Sequence, residues 1–311
     1  MEKNTNSIQN FYAHGKLLIS GEYLVIRGAK ALAVPLKFGQ SLQIISTEGK
    51  PKLIWEANYP GKNWFRAKFN TTNFDILETD NPELAQRLQK ILKEARRLNP
   101  QLLAGSFTTI AISSLNFHPE WGIGSGSSLL ANVGRWAEVD PFELNRRVFG
   151  GSGYDIAAAL SDKPVIYHLE NGLPTFESID FAPPFSGNLY FVYQNQKQNS
   201  KTAVQNFANT VVPQEVIEIV SVITLKMVST NSLQEFMELM IKHENILEEA
   251  IKQTPVQQVN FPDFEGSIKS MGAWGGDFLL AATEKSGEYV IQYFKIKGFE
   301  TAFGWDEMVY V

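Results

Sequence analysis

Two stretches decide how the fold of this chain is predicted: WGIGSGSS at residues 121–128 and GGSGYDIA at residues 150–157. Both concentrate glycine, which a chain uses where its backbone bends sharply or approaches another group closely. The residues between the two stretches have a helical pattern. Glycines and serines just before a helix make an anion site, because unpaired N–H groups point outward at the positive end of the helix dipole. We therefore expect a phosphate site at the first stretch and a carboxylate, Asp155, at the second.

The composition is that of a globular protein with a sizeable core. The chain has 311 residues, 44% of them hydrophobic and 20% charged, which argues against disorder and allows one large or two ordinary domains, with two preferred. The absence of cysteine excludes disulfides, thiolate zinc sites and cysteine nucleophiles. The four histidines are scattered without metal-ligand spacing.

The charge and the N-terminus narrow the choice of partners. A net charge of −5 argues against general nucleic-acid binding but leaves room for a local basic pocket that holds a phosphorylated small molecule. The first residues lack the apolar segment of a signal peptide, and no window approaches the length of a membrane span. We expect a cytoplasmic protein without nucleic-acid or membrane partners.

The apolar pattern predicts a mixed α+β chain in two halves, with a boundary in the Pro-, Gly- and Ser-rich segment 170–187. The predicted domains are therefore 1–175 and 176–311. Short apolar runs predict strands at 17–19, 23–26 and 31–34, and later at 165–168, 189–193, 278–282 and around 308–310. Capping residues and helical spacing predict helices after Asn81, at 128–136, from Asp140, at 154–160 and after Ser200, Pro213 and Ser232.

The helix after Ser232 has the strongest helical pattern in the chain. Ser232 and Glu235 have the spacing of a capping box. Its predicted buried stripe consists of Leu233, Phe236, Met237, Met240 and Ile241.

Several familiar nucleotide motifs are missing. The chain has no G-x-x-x-x-G-K-[ST] sequence and no protein-kinase motif set. Its G-x-G-x-G segment at 122–126 does not fit the dinucleotide fingerprint either. Taken singly, each glycine cluster is equally compatible with a tight turn or with close helix packing.

Three glycine-rich segments, taken together in their order along the chain, are more specific evidence than any one of them alone. The sequences AHGKLLISGEY at 13–23, GIGSGSS at 122–128 and MGAWGGD at 271–277 resemble the three motifs of the GHMP kinases, which include galactokinase, homoserine kinase, mevalonate kinase and phosphomevalonate kinase. The segment GYDIA at 153–157 resembles the signature of a bacterial branch called the GYDIA family. Mevalonate and phosphomevalonate kinases are the nearest characterised relatives that this resemblance suggests.

The resemblance implies a two-domain α+β fold. Its N-terminal domain would resemble ribosomal protein S5 and bind ATP, its C-terminal domain would be ferredoxin-like, and ATP and acceptor would occupy the cleft between them. The implied activity is transfer of the γ-phosphoryl group from ATP, with Mg²⁺, to a hydroxyl or phosphate of a small anionic acceptor. Mevalonate and phosphomevalonate, both from isoprenoid biosynthesis, are the favoured acceptors, and a homodimer is possible.

The resemblance also assigns residues. Lys16 and Asp155 match the lysine and aspartate at the acceptor oxygen, where Asp155 would act as general base or orient the acceptor and Lys16 would stabilise negative charge. ATP would be held by Gly122, Gly124, Ser125, Gly126, Ser127, Ser128, Gly275 and Gly276. Acceptor contacts are assigned to Glu22, Ser152 and Lys201, and Mg²⁺ contacts to Ser127 and Glu143.

Each assignment has a structural alternative. Asp155 could simply cap its helix, Glu22 could be a solvated turn residue or could brace the fold, and Glu143 could be the capping partner of Asp140. Gly126 stands where these kinases usually have a serine, whose role could pass to one of the neighbouring serines. Trp121 and Trp274 could line the nucleotide site or belong to the core. Lys201 could belong to an ordinary capped helix.

Other functions remain open at this point. A sugar or amino-alcohol kinase is the next enzymatic possibility. A non-catalytic paralogue that binds nucleotide or metabolite is a rival of a different class, favoured by Gly126 and opposed by the retention of Lys16 and Asp155. A diphosphomevalonate decarboxylase would share the fold and the use of ATP.

Overall fold

The computed structural model describes residues 7–195, 207, 210–272, 274 and 276–311. Its strands are β1 (Ser7–Ser20), β2 (Ala31–Glu48), β3 (Lys52–Tyr59), β4 (Lys62–Asn70), β5 (Ile76–Thr79), β6 (Phe107–Leu115), β7 (Val165–Glu170), β8 (Leu173–Ser178), β9 (Leu189–Tyr193), β10 (Ser267–Ser270), β11 (Phe278–Ala282) and β12 (Ala302–Gly304). Its α-helices are α1 (Pro82–Leu98), α2 (Ser125–Trp136), α3 (Pro141–Val148), α4 (Tyr154–Leu160), α5 (Gln214–Ser229), α6 (Leu233–Ile251), α7 (Val256–Asn260), α8 (Gly287–Ile296) and α9 (Trp305–Met308). The chain divides into two compact units.

The first unit consists of Met1–Gly15, Phe38–Pro119 and Gly124–Leu160. Its strands follow the order β5-β4-β3-β6-β2, in which β3 and β6 run parallel and the other pairs run antiparallel. Helices α1 to α4 bury their apolar faces in one core with the sheet, as amphipathic helices must. Helix α1 begins as predicted, with Asn81 accepting a hydrogen bond from the Leu84 N–H and proline in the first turn.

The second unit consists of Lys16–Lys37, Glu120–Ile123 and Ser161–Val311. Within it, β7 pairs with the first residues of β2 and with β8. A separate antiparallel sheet has the order β10-β11-β9-β12. Strands β9 to β12 alternate with helices as β-α-β-β-α-β, which is the ferredoxin-like arrangement. The mixed α+β class is therefore confirmed.

The predicted strand at 23–26 is wrong. The chain there forms a short 3₁₀ helix over Leu24–Arg27, because Gly21 and Gly28 adopt positive φ angles of 89° and 95° and turn the backbone at both ends. Leu24 and Val25 are buried, so the apolar run that suggested a strand belongs to a buried turn. Of the predicted strand around 308–310, Met308 ends α9 and Val309 forms an isolated antiparallel bridge with Leu36.

Several other boundaries agree with the sequence. Helix α4 and strands β9 and β11 have the predicted limits, whereas α2 begins three residues earlier than expected. Strand β8 lies inside the segment where the domain boundary was placed, and the division at 175/176 stays a prediction. The helix expected after Ser200 begins outside the described residues. In the part of the chain that the structure describes, no helix is both long and apolar enough to cross a membrane.

Candidate active site

The first glycine-rich stretch becomes the start of a helix. Gly122 and Gly124 adopt positive φ angles of 72° and 100°, and Gly124 is the N-cap of α2. The helix therefore begins inside the loop, at Ser125. Because the first N–H groups of an α-helix have no partner within the helix, this end of α2 can bind an anion through its backbone.

The serines of this loop have distinct roles. Ser128 is fully buried and its hydroxyl donates to Gln40 Oε1 over 2.8 Å. The Ser127 hydroxyl donates to the Gly124 carbonyl over 3.0 Å, and so it closes the first turn. Gly126 is exposed, and a Cβ added there would come no closer than 3.9 Å to a neighbour, the Phe149 ring. The position where a serine was expected thus has space for one.

Gly122 is held against an acidic residue of the third motif. A Cβ on Gly122 would lie 2.2 Å from Asp277 Cγ, so the Asp277 carboxyl group packs directly on the glycine backbone. Asp277 is 8% exposed and has a φ angle of 58°. The close approach explains why residue 122 must be glycine.

Lys16 lies on β1, next to the start of the same loop. Its main-chain N–H donates to the Ile123 carbonyl over 2.8 Å, and Ile123 directly precedes the N-cap Gly124. The strand that carries the predicted catalytic lysine is therefore hydrogen-bonded to the loop that begins α2.

Asp155 lies in the first turn of α4, in the same unit as α2. Gly150, Gly151 and Gly153 before it all have positive φ angles. Asp155 is not the helix cap: the Gly153 carbonyl accepts from Ile156 and Ala157, and Asp155 Oδ1 accepts from the N–H of its neighbour Ile156 over 3.1 Å.

The helix of Asp155 packs on the helix of the glycine loop. Helices α2 and α4 are in contact, and Ala131 and Ala159 share a small buried cluster with Ala13 of β1. Ser152 is 8% exposed, and its hydroxyl accepts from the Tyr154 N–H over 3.5 Å, so its predicted acceptor contact stays a prediction.

Glu143 forms neither a cap nor a metal cluster among the described residues. Asp140 caps α3 by accepting from the Phe142 N–H over 2.9 Å. The Glu143 carboxylate instead bonds Arg146 and Arg147, each at 2.6 Å, and these hydrogen bonds lower its pKa. No group of three metal-binding side chains occurs in the described ranges. Its predicted contact to Mg²⁺ stays a prediction.

Glu22 is buried, contrary to the interpretation as a solvated turn residue. Its side chain has no exposed surface and forms an ion pair with Lys269, which also donates to the Ser270 carbonyl over 2.9 Å. His243 Nε2 lies 3.3 Å from Glu22 Oε2 and accepts from the Gly21 N–H over 2.9 Å. This geometry supports the bracing interpretation.

A second carboxylate completes this group. Glu244 is 2% exposed and accepts from the Ser270 N–H over 3.2 Å. We call Glu22, His243, Glu244 and Lys269 the buried quartet. The quartet connects the turn after β1 with strand β10, which immediately precedes the third glycine-rich motif.

Burial dominates the electrostatics of the quartet. It raises the pKa of Glu22, against the opposing effect of Lys269, and raises the pKa of Glu244 to about 8. Burial together with the charge of Lys269 lowers the pKa of His243 well below its usual value. His243 is therefore neutral, which agrees with Nε2 acting as an acceptor for the Gly21 N–H.

Three members of the quartet were missed from the sequence. His243 and Glu244 follow Met240 by three and four residues, so they continue the buried face of α6. Two polar residues at core positions of a strong helix were a usable signal. Lys269 gave no such signal, because the short strand around it is polar.

The third motif, at residues 271–277, is only partly described, because Gly275 lies outside the described residues. The Gly276 carbonyl accepts from Gln194 Nε2 over 2.8 Å. Lys201, a predicted acceptor contact, also lies outside the described residues. Trp274 is 3% exposed and belongs to a core cluster with Leu24, so the core alternative holds for this residue. Trp121 packs edge-on against Phe303, with ring centroids 5.3 Å apart.

No protein-family model and no curated protein sequence matches the chain. Solved structures do. Mevalonate kinase from Methanococcus jannaschii is 16% identical with a TM-score of 0.71, over 98% of this chain and 99% of that one. Phosphomevalonate kinase from Streptococcus pneumoniae, in complex with phosphomevalonate and AMPPNP, is 15% identical with a TM-score of 0.69, over 95% and 99%. Galactokinase from Lactococcus lactis, complexed with galactose, is 12% identical with a TM-score of 0.67, over 98% and 95%.

These likenesses extend over nearly the whole of each chain, and they join proteins that act on three different acceptors. The fold is thus common to kinases whose substrates differ. The chain has the fold of the GHMP kinases, which confirms the fold that its three motifs implied.

Proposed function

We propose that this protein is an ATP-dependent small-molecule kinase that transfers the γ-phosphoryl group to a hydroxyl or phosphate of a small anionic acceptor. One observation carries the proposal: the main-chain N–H of Lys16 bonds Ile123, directly before the glycine N-cap of α2. The lysine-bearing strand is therefore bonded to the residue that precedes the N-cap of a helix, and the first N–H groups of a helix have no partner within it. Phosphoryl transfer needs such a pair of features, because charge on the phosphates must be neutralised.

In this proposal, the backbone at the start of α2 binds the phosphates of ATP, together with Gly275 and Gly276. Lys16 stabilises the negative charge that develops during transfer. Asp155, in the first turn of α4, accepts the proton of an acceptor hydroxyl or, where the acceptor is a phosphate, orients it. Ser152 and Lys201 bind the acceptor. Glu22, assigned an acceptor contact by the resemblance, acts from within the buried quartet.

Mg²⁺ fits this site as an ion held mainly by the phosphates of ATP, since it usually takes one or two protein ligands beside them. Ser127 and Glu143 are the proposed ligands. The Glu143 ion pairs involve exposed arginines, and exposed pairs of this kind contribute little, so they would not prevent binding. The metal supplies charge neutralisation on the phosphates.

Mevalonate and phosphomevalonate are the acceptors that we favour. Two of the structures with this fold are a mevalonate kinase and a phosphomevalonate kinase, and the three motifs of the chain suggest the same branch. We further propose that the ATP-binding and C-terminal domains divide at 175/176 and that the protein acts in the cytoplasm.

The decisive experiment measures ATP consumption by the pure protein with mevalonate, phosphomevalonate, diphosphomevalonate, galactose and homoserine. We expect turnover with one of the first two. Asp155→Asn should then reduce kcat by about 10²–10⁴-fold, with ATP affinity nearly unchanged, because it removes a proton acceptor and keeps the shape of the side chain.

The matched control is Asp140→Asn, which makes the same change at an exposed helix cap of the same unit. Asparagine caps helices as well as aspartate does, so this variant should retain full activity. ATP binding without turnover of any acceptor would instead support the non-catalytic rival. Carbon dioxide release from diphosphomevalonate would identify a decarboxylase.

A further inference from the structure

Phe149 is an exposed aromatic residue beside the start of α2. It follows α3 directly, and its side chain is 45% exposed. A Cβ placed on Gly126 would lie 3.9 Å from the Cε2 atom of Phe149, which is ordinary van der Waals contact. Gly126 is the second residue of α2, so the ring borders the first turn of that helix. Single exposed apolar side chains are common on proteins, and the position of Phe149 therefore carries more weight than its exposure.

The backbone that carries Phe149 is held by a buried residue. Asn145 is 4% exposed, and its main-chain carbonyl accepts from the N–H groups of Phe149 and Gly150 over 2.9 and 2.8 Å. The Asn145 side chain donates from Nδ2 to the Gly150 carbonyl over 3.0 Å. Lys90 donates to the carbonyl of Val148, the preceding residue. Because these hydrogen bonds fix the backbone on both sides of Phe149, they fix the point from which its ring extends.

The loop that leads to Asp155 begins directly after Phe149. Gly150 and Gly151 have φ angles of 76° and 83°, and a Cβ on either would meet nothing within 4 Å. The loop is therefore open on its outer side. Phe149 thus borders the first turn of α2 and precedes the loop of Asp155, and both of these features belong to the first unit.

Water competes with the acceptor at a phosphoryl-transfer site. In this side reaction a water oxygen bonds to the γ-phosphorus, the bond from that phosphorus to the β–γ bridging oxygen breaks, and ADP, inorganic phosphate and a proton are released. An active site that expels water prevents such hydrolysis. An apolar ring offers water no hydrogen bond, and Gly126 has no side chain that could attract water there. Phe149 therefore gives the start of α2 an apolar border.

We propose that Phe149 is a further residue of the proposed active site, where its ring excludes water from the γ-phosphoryl group of bound ATP. The inference rests on the proposed function, because it takes the start of α2 as the phosphate site. Phe149 then sets the ratio of phosphoryl transfer to hydrolysis, which a residue that only stabilises the fold would not change.

ATP hydrolysis without an acceptor tests the exclusion of water. Phe149→Ala should release inorganic phosphate from ATP at least about tenfold faster than the wild type, which corresponds to a barrier lower by about 1.4 kcal/mol. Phe149→Leu keeps a large apolar side chain and should hydrolyse ATP as slowly as the wild type.

Phe107→Ala is the matched control, because Phe107 is 43% exposed and belongs to the same unit. Leu115, at the end of β6, pairs with Gln40, which accepts from Ser128 of α2. Phe107 begins β6 eight residues before Leu115, which is about 26 Å at 3.3 Å per residue. Its replacement should leave ATP hydrolysis unchanged.

Thiol labelling tests the position of Phe149 without any turnover. The chain has no cysteine, so Phe149→Cys and Phe107→Cys each introduce a single thiol. With AMPPNP and Mg²⁺ at about 100 times the dissociation constant, only about 1% of the sites are free, so labelling at position 149 should slow at least about tenfold. Labelling at position 107 should keep its rate.

Faster hydrolysis in Phe149→Ala, slow hydrolysis in Phe149→Leu and protection of the thiol at position 149 would together establish the inference. If the wild type bound AMPPNP and phosphorylated an acceptor while Phe149→Ala hydrolysed ATP no faster, water exclusion would be wrong and the proposed kinase would stand. An unprotected thiol at position 149 would have the same meaning. A wild type that binds no AMPPNP would contradict the proposed function itself, and this inference with it.

Discussion

Two glycine-bearing turns of this chain differ in their surroundings. The turn at Gly21 and Glu22 follows β1 and is wholly buried, with the Gly21 N–H bonded to His243 and the Glu22 carboxylate paired with Lys269. The turn at 122–128 begins α2, and its Gly126 is exposed with open space around it. In the first turn, Gly21 and Glu22 are bonded to buried side chains of the protein. In the second turn, the backbone at the start of α2 remains available to a ligand.

The two turns differ in what their hydrogen bonds connect. At the first turn, the partners of Gly21 and Glu22 lie 222 and 247 residues away along the chain, so they hold distant parts of the second unit together. At the second turn, the serines bond within the first unit and leave the helix end exposed. We infer that the first turn provides rigidity and the second provides binding.

The largest loss of stability should come from breaking the ion pair that holds the first turn. Lys269→Met removes the cation of the buried quartet and leaves Glu22 buried without its partner. Breaking a buried ion pair in this way costs about 3–5 kcal/mol, which urea denaturation would measure as a lower free energy of unfolding.

The control removes both charges. Glu22→Gln/Lys269→Met leaves no uncompensated ion, so it should recover most of the lost stability. A single variant as stable as the wild type, or a double variant less stable than the single one, would show that the pair does not hold this turn.

The sequence predicted the second turn far better than the first. Glycines, serines and a following helix are all local, so residues 121–136 could be interpreted within one window. The first turn depends on α6 and β10, and no local pattern pairs Glu22 with Lys269. The prediction that Ile241 belongs to the buried stripe of α6 is wrong, since it is 47% exposed while His243 and Glu244 are buried. Helical periodicity identified the buried face of α6, but it assigned Ile241 to that face in place of His243 and Glu244.

The pH dependence of stability should report on the same turn. The folded state holds a proton on Glu244 up to about pH 8, whereas the unfolded chain releases it near pH 4.5. His243 acts in the opposite sense, because the unfolded chain binds a proton below about pH 6.5 that the folded state excludes. The two slopes oppose each other just below about pH 6.5. Between about pH 6.5 and 8 the His243 contribution is absent, and Glu244, together with Glu22 whose pKa burial also raises, makes the free energy of unfolding fall as the pH rises, by about 1 kcal/mol per pH unit for Glu244.

Glu244→Gln separates this titration from the packing. Glutamine keeps an acceptor for the Ser270 N–H and has no proton to lose, so the unfolding free energy should fall less steeply from about pH 6.5 to 8 than in the wild type. Denaturation series at several pH values would measure both curves. An unchanged slope in the variant would assign the titration to another group.

The same substitution at two glycines of the second turn should give effects of opposite sign, both smaller than that of Lys269→Met. Gly122→Ala forces a side chain into a φ angle of 72° and against the Asp277 carboxyl group, and should cost about 1–3 kcal/mol. Gly126→Ala meets nothing within 3.9 Å in the first turn of α2, where alanine favours the helix by up to about 1 kcal/mol. Urea denaturation of both variants gives the signs directly. A loss at Gly126 equal to that at Gly122 would mean that the second turn is as closed as the first, and the contrast between binding and bracing turns would fail.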